Sequence, residues 1–222
     1  MKICYFTDLF YPYLLGGGEN RYFEIIKRLA RRGDDIIVIT TSLKGQRSYE
    51  ELDSKIKIFR FGFLKHPMTG RSLLPVPGYI FSSILNSHIV DDCDLLDLNT
   101  YASAFAGKFV SFLRKKPCVI TIHDVFTPNW FLKHNFCYGI LGMLAENAIS
   151  RIHKYGHFIT VSNSTKTKMT RILKISAQRI HVVPNGIDFK FIHEIASRVK
   201  RRSTSSLKRI VYVGRLIGYK NV

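Results

Sequence analysis

Apolar residues in this chain fall into short unbroken runs separated by longer stretches of helical spacing. Ile3-Cys4-Tyr5-Phe6-Thr7 predicts a buried strand, followed by a loop through Asp8, Pro12 and Gly16-Gly17-Gly18. A helix is predicted from about Glu19, because Tyr22, Ile25, Ile26, Leu29 and Ala30 recur at helical spacing; Arg31-Arg32 and Gly33 close it. The β-branched run Ile36–Thr40 reads as a strand covered on both faces. The alternation then continues. Further strands are predicted over 55–61, 94–98, 118–122, 157–161 and 180–183, and helices near 79–90, 103–113, 130–152 and 164–173.

Strands separated by helices predict an α/β fold with a Rossmann-like doubly wound parallel sheet, opened by a βαβ unit with a glycine-rich crossover. Residues 1–198 are assigned to this domain. The polar, basic and serine-rich segment 199–209 reads as a linker, and Ile210-Val211-Tyr212-Val213 as the first strand of a second, C-terminal domain that is truncated at Val222.

Composition narrows the classes. The chain has 222 residues, 46% of them hydrophobic and 23% charged, enough to bury a core and unlike a disordered or fibrous chain. Cys4, Cys93, Cys118 and Cys137 follow neither a disulfide nor a zinc spacing. No secretory cleavage pattern follows Met1, and no apolar stretch approaches the ~18 residues of a membrane span, so a cytoplasmic protein is expected. With 34 Lys+Arg against 16 Asp+Glu, the formal net charge is +18. The cations are scattered, many at predicted helix ends, and no nucleic-acid-binding signature accompanies them, so nucleic acid is disfavoured. Anionic lipid headgroups are the better partner for such a surface, with a merely basic surface as the alternative.

Three features fall where a doubly wound sheet binds ligands, beyond the carboxyl ends of its strands. Gly16-Gly17-Gly18-Glu19 would let backbone N–H groups approach a phosphate or sugar at a helix N-terminus; a turn that merely needs glycine is the alternative. His123-Asp124 follows a predicted buried strand, and the histidine either faces the cleft or caps its own turn. Val213-Gly214-Arg215-Leu216, with Lys220, offers a planar fork and a point charge suited to a diphosphate, or else an ordinary basic loop. The glycines do not form the dinucleotide fingerprint, and the remaining histidines lack ligand spacing, so neither a nicotinamide nor a metal is expected.

The order of these segments resembles the family 4 (group 1) retaining glycosyltransferases of the GT-B class. The resemblance rests on Phe10-Tyr11-Pro12 with Gly16-Gly17-Gly18-Glu19, Lys27–Gly33 with Val38-Ile39-Thr40, Thr121-Ile122-His123-Asp124 and Val161-Ser162. Val183–Asp188 and Tyr212–Leu216 with Lys220 complete it. It implies two Rossmann-like domains facing a cleft, of which this chain holds the N-terminal, acceptor-side one. By resemblance, Gly17 and Gly18 place backbone donors near the donor diphosphate or acceptor, and His123 contacts the donor sugar with Asp124 beside it. Arg215 and Lys220 bind the departing diphosphate, while Glu19 and Asn185 lie on the acceptor side or the cleft.

The implied function is transfer of a sugar from a nucleotide-sugar donor to a glycan or lipid-linked acceptor, with retention and without a metal or other cofactor. The family's acidic pair, which grips the donor, has no counterpart before Val222, so the chain alone is expected to be incomplete and inactive. The alternative is a non-catalytic acceptor-binding or membrane-recruiting subunit completed by a separate donor domain. Aromatics interleaved with cations in segments 59–85 and 126–144 suit peripheral attachment at the inner face of an anionic membrane, or else the ordinary buried helices of the domain.

Overall fold

The computed structural model describes residues 1–14, 16–64, 76–99, 101–132, 136–198 and 210–214. Its frame is one eight-stranded sheet. The strands are β1 (Lys2–Thr7), β2 (Asp35–Leu43), β3 (Tyr49–Asp53), β4 (Ile56–Leu64), β5 (Leu95–Asn99), β6 (Cys118–Ile122), β7 (His157–Thr160) and β8 (Ile180–Val182). They are ordered β3-β4-β2-β1-β5-β6-β7-β8, all parallel except the edge pair β3–β4. The helices are α1 (Gly17–Arg31), α2 (Val76–Leu85), α3 (Ala102–Leu113), α4 (Phe136–Ile152), α5 (Asn163–Arg171) and α6 (Phe189–Arg198).

The two faces of the sheet are covered by different helices. On one, Phe6, Ile39, Leu96, Leu98, Ile120 and Phe158 meet Tyr79 of α2, Val110 of α3, Ile149 of α4 and Met169 of α5. On the other, Ile3, Tyr5, Ile36, Val38, Ile56 and Ile58 pack against Tyr22, Ile26 and Ala30 of α1. Each large apolar side chain so buried contributes about 1.5–3 kcal/mol, so both layers are needed to stabilise the sheet. Helix α1 ends as its sequence requires: Gly33, at φ +98°, takes the left-handed conformation and donates its N–H to Ala30 O at 2.9 Å.

Three expectations change. Tyr49–Asp53 is a strand where none was predicted. It carries Glu50, Glu51 and Asp53, and an acidic segment is accommodated because β3 lies at the sheet edge beside Arg60 and Lys57 of β4. As a result β2 and β4 are joined through a hairpin strand rather than a helix, and the sheet is mixed rather than wholly parallel. The helix expected over 130–152 divides into a single 3₁₀ turn, Asn129–Leu132, and α4. Helix α6 was not anticipated; Asp188 starts it by accepting from Phe191 N at 3.1 Å. Ile210–Val213 is exposed, with no sheet neighbour among the described residues. The expected linker 199–209 lies outside the described residues, as does 215–222.

Candidate functional site

From β1 the chain steps outward to β2 and then to the hairpin β3–β4, whose β4 lies beside β2, and returns to continue on the other side of β1 through β5 to β8. The order therefore reverses between β1 and β5, and successive connections leave in opposite directions. In a doubly wound sheet the ligand crevice lies beyond the carboxyl ends of two such strands. The segments that follow β1, β5 and β6 line it.

The loop after β1 is held from several sides. Asn99, ending β5, donates its amide to Thr7 Oγ1 at 3.2 Å, and Thr7 donates to Leu9 O at 3.1 Å. The Asp8 carboxylate accepts from Ser103 N at 3.1 Å and from the Ser103 hydroxyl, supplying the cap that α3 lacks locally. Farther along, Arg60 donates to Tyr11 O at 3.0 Å and pairs with Glu50 at 2.7 Å; its side chain is 1% exposed. Tyr11 stacks on Phe23 of α1 with ring centroids 5.4 Å apart. These contacts bring Gly16, Gly17 and Gly18 to the crevice as the start of α1.

Gly16 is the N-cap of α1 and has no side chain with which to cap it, so the first turn lies at the positive end of the macrodipole, with Glu19 as the acidic residue within it. A Cβ on Gly17 would meet nothing within 4 Å, whereas one on Gly18 would lie 3.2 Å from His123 Nε2. The predicted pair Gly18 and His123 thus meets across the crevice. Glu19 is buried beside Gly16, not directed into open solvent.

His123 follows β6, and its carbonyl accepts from the Thr165 hydroxyl at 3.4 Å. The ring lies edge-on to Tyr22, centroids 6.1 Å apart, and Nε2 is buried without a hydrogen-bond partner among the described residues. Burial, and then the nearby Arg21 charge, pull His123 down to about 4, so at neutral pH the imidazole is uncharged. It can offer a sugar hydroxyl or phosphate oxygen one hydrogen bond at that nitrogen without first breaking another. Asp124 is turned elsewhere: its carboxylate accepts from Val125 N and pairs with Lys168 of α5, both at 2.8 Å.

Asn185 reaches the site indirectly. Arg21 donates to Asn185 Oδ1 at 2.8 Å and to Pro184 O at 3.4 Å, while Arg28 pairs with Asp188 at 3.2 Å. Two arginines about two turns apart on the same face of α1 thereby hold the turn 184–188 against that helix. Arg215 and Lys220 lie outside the described residues.

Sequence reasoning missed a polar network beneath the crevice. Asp97 of β5 accepts at Oδ1 from the Tyr22 hydroxyl at 2.8 Å and from Thr121 Oγ1 at 2.9 Å. Burial pushes Asp97 up to about 6, against the opposing pull of those two hydrogen bonds. An acid in the apolar run Leu95–Leu98 was the signal available. Beside the site, Glu146 of α4 accepts from Phe126 N at 2.9 Å, Thr127 N at 3.0 Å and Thr127 Oγ1 at 2.7 Å, fixing the loop after His123-Asp124. Among the described residues, no three His, Cys, Asp or Glu side chains gather as a metal-ligand set, and no helix is long and apolar enough to cross a membrane.

Comparison with known proteins agrees with this architecture. Sucrose-phosphate synthase from Thermosynechococcus elongatus superposes with a TM-score of 0.63 at 15% identity, over 85% of this chain and 49% of that one. A glycosyltransferase from Rickettsia africae gives 0.57 at 16% identity, over 90% and 46%. Anabaena HepE, solved in complex with UDP and glucose, gives 0.56 at 17% identity, over 89% and 50%. The chain thus spans about half the length of these structures, while a shorter, domain-sized structure of sucrose-phosphate synthase is covered over 96% at a TM-score of 0.58 and 13% identity. Its fold is the Rossmann-like α/β fold of GT-B glycosyltransferases. No curated protein matches it in sequence. Residues 15–191, spanning the glycine start of α1, His123 and the turn that Arg21 holds, match Glycosyltransferase Family 4, and the chain belongs to that family.

Proposed function

We propose that the chain contributes the acceptor-side half of a cleft that transfers a sugar, with retention, from a nucleotide-sugar to a glycan or lipid-linked acceptor. The observation that carries this reading is the meeting of Gly18 with His123, whose buried ring nitrogen has no hydrogen-bond partner among the described residues, at the glycine-rich start of α1. Backbone N–H groups there suit a phosphate, and the neutral imidazole suits a sugar hydroxyl. Arg215 and Lys220 would stabilise the departing diphosphate, taking the place of a metal. Asp124, paired with Lys168, would act by shaping the turn behind His123.

The test uses UDP-glucose at millimolar concentration with the ¹⁵N-labelled chain. Shifts concentrated at Gly17, Gly18 and the His123 ring, and lost in His123→Ala, are expected. Shifts scattered elsewhere, or none, would overturn the assignment of the site. Product formation by the chain separates a transferase from an acceptor-binding subunit: binding without turnover until a donor domain is added supports the subunit.

A second reading concerns the surface. Phe81 and Leu85 of α2, Phe112 and Leu113 of α3, and Leu141 and Leu144 of α4 are more than half exposed, with Lys115 beside them. Apolar side chains bordered by cations suit peripheral attachment to anionic lipid. Flotation with vesicles containing phosphatidylglycerol but not with neutral ones is the expected outcome; equal binding to both would count against it.

A further inference from the structure

Asp97 belongs to none of the motifs above. Its neighbours Leu96 and Leu98 are fully buried toward α2–α5, so strand alternation turns Asp97 to the α1 face of the sheet. There one oxygen accepts from two hydroxyls whose owners flank the crevice. Tyr22 stands four residues, about one helical turn, beyond Gly18 on α1. Thr121 stands two residues before His123, on the same side of β6. The atom Oδ1 of Asp97 therefore joins the helix that begins at the glycines to the strand that ends at the histidine. The Tyr22 ring, fixed by that bond, is also the edge against which the His123 ring rests.

We propose that Asp97 is the positioning residue of this site: by tying Tyr22 to Thr121 it sets the separation of Gly18 from His123 Nε2. The proposal deepens the reading of the crevice as a nucleotide-sugar site and rests on it for its functional meaning. A buried carboxylate packs less favourably than leucine would, so its retention is explained by these two directed bonds, not by burial. Hydrogen bonds to an ionised acceptor are roughly twice as strong as those to a neutral one, so protonating Asp97 loosens both arms.

The pH window follows from the groups around it. Tyr22 and Arg21 face Asp97 from α1, Tyr5 from β1 and Thr121 from β6, with His123 beyond Tyr22. Both tyrosines are pushed far above their ordinary values by burial, and His123 is held at about 4. Asp97, at about 6, is thus the one group of this cluster that titrates between pH 5 and 7.

The experiment follows the Gly17 and Gly18 amides and the His123 ring by NMR in the 222-residue chain from pH 5 to 8, without ligand. In the wild type these signals should move together with a midpoint near 6. Asp97→Asn should abolish that midpoint and leave the signals near their low-pH positions throughout. Thr121→Val, which cuts only the β6 arm, should abolish the His123 movement and spare that of Gly17 and Gly18. The proposal is overturned if the midpoint persists in Asp97→Asn, or if the wild type shows no common midpoint, a result readable even should the variant not fold. Because no nucleotide-sugar is present, failure here and failure of UDP-glucose binding are separate results.

Discussion

Acidification should destabilise this fold through His153, and the size of the effect can be worked out. The residue is 3% exposed at the end of α4, with Nε2 3.1 Å from His157 O and its ring edge-on to Phe158 at 5.0 Å. A carbonyl partner requires Nε2 to carry the hydrogen, leaving Nδ1 bare toward Cys118 Sγ at 4.0 Å. Burial, then the Lys108 charge, hold His153 at about 4, against an ordinary 6.5. The folded value is depressed, so the neutral ring's stability is fully present above pH 6.5 and is lost as pH falls toward 4. Linkage between these values gives a loss of about 2 kcal/mol at pH 5 relative to pH 7.5. Local relaxation and water penetration around the protonated ring reduce this to about 1–2 kcal/mol. His123 acts in the same direction. Asp97 opposes both: its folded value is raised, so protonation on the way down through pH 6 returns about 1 kcal/mol. The histidines win, and the whole chain should lose stability. Urea unfolding of the wild type and His153→Gln at pH 7.5 and 5 isolates the single residue, because glutamine keeps a donor for His157 O but cannot titrate. The wild type should lose about 1–2 kcal/mol more than the variant over that interval. Equal losses in the two proteins would refute the reasoning.

Two further outcomes test the packing that positions the crevice. Gly107, buried in α3, has no room for a Cβ, which would overlap the Leu98 side chain and lie 3.0 Å from the Phe6 ring. Gly107→Ala should therefore cost about 1–2 kcal/mol by urea unfolding, the overlap outweighing alanine's helix preference of about 1 kcal/mol; an unchanged midpoint would show that α3 can move aside. Glu146→Gln should cost about 1–3 kcal/mol, since an amide has one accepting oxygen for the four donors that the carboxylate serves, the Tyr101 hydroxyl among them. The loss should appear first as faster amide exchange at Phe126 and Thr127, and unaltered exchange there would remove Glu146 from the account of that loop.

Much of this architecture is legible because the central strands are buried on both faces and so appear as apolar runs. Cys118–Ile122 is recovered to the residue, and α1 to within two residues of its start. What escapes has a physical reason in each case. Strand β3 is an acidic edge, where pairing is supplied by one neighbour and no face need be apolar. Helix α6 has Phe189, Ile192 and Ile195 at helical spacing but buries none of them, and its start depends on Asp188, which α1 holds through Arg28. The site was legible only where a local motif carries it. Gly18 and His123 could be named separately, but their approach depends on Asp97, whose partners lie 75 and 24 residues away. A contact of that kind leaves no local pattern.

The same geometry separates two roles for His123. Its depressed pKa has two causes, burial and then the Arg21 charge, and a ligand would affect them differently. Burial persists or deepens when the crevice is filled, holding the ring neutral. Repulsion from Arg21 is answered only by negative charge nearby, because an anion between the two favours the protonated ring. A neutral sugar seated on Nε2 should therefore leave the value near 4 or lower it, whereas a diphosphate at the start of α1 should raise it. Titrating the His123 ring by NMR with glucose, then with UDP, distinguishes these outcomes. A rise with UDP alone assigns the start of α1 to phosphate and leaves Nε2 for the sugar. An equal response to both ligands would refute that division, since a single contact would then be serving each of them.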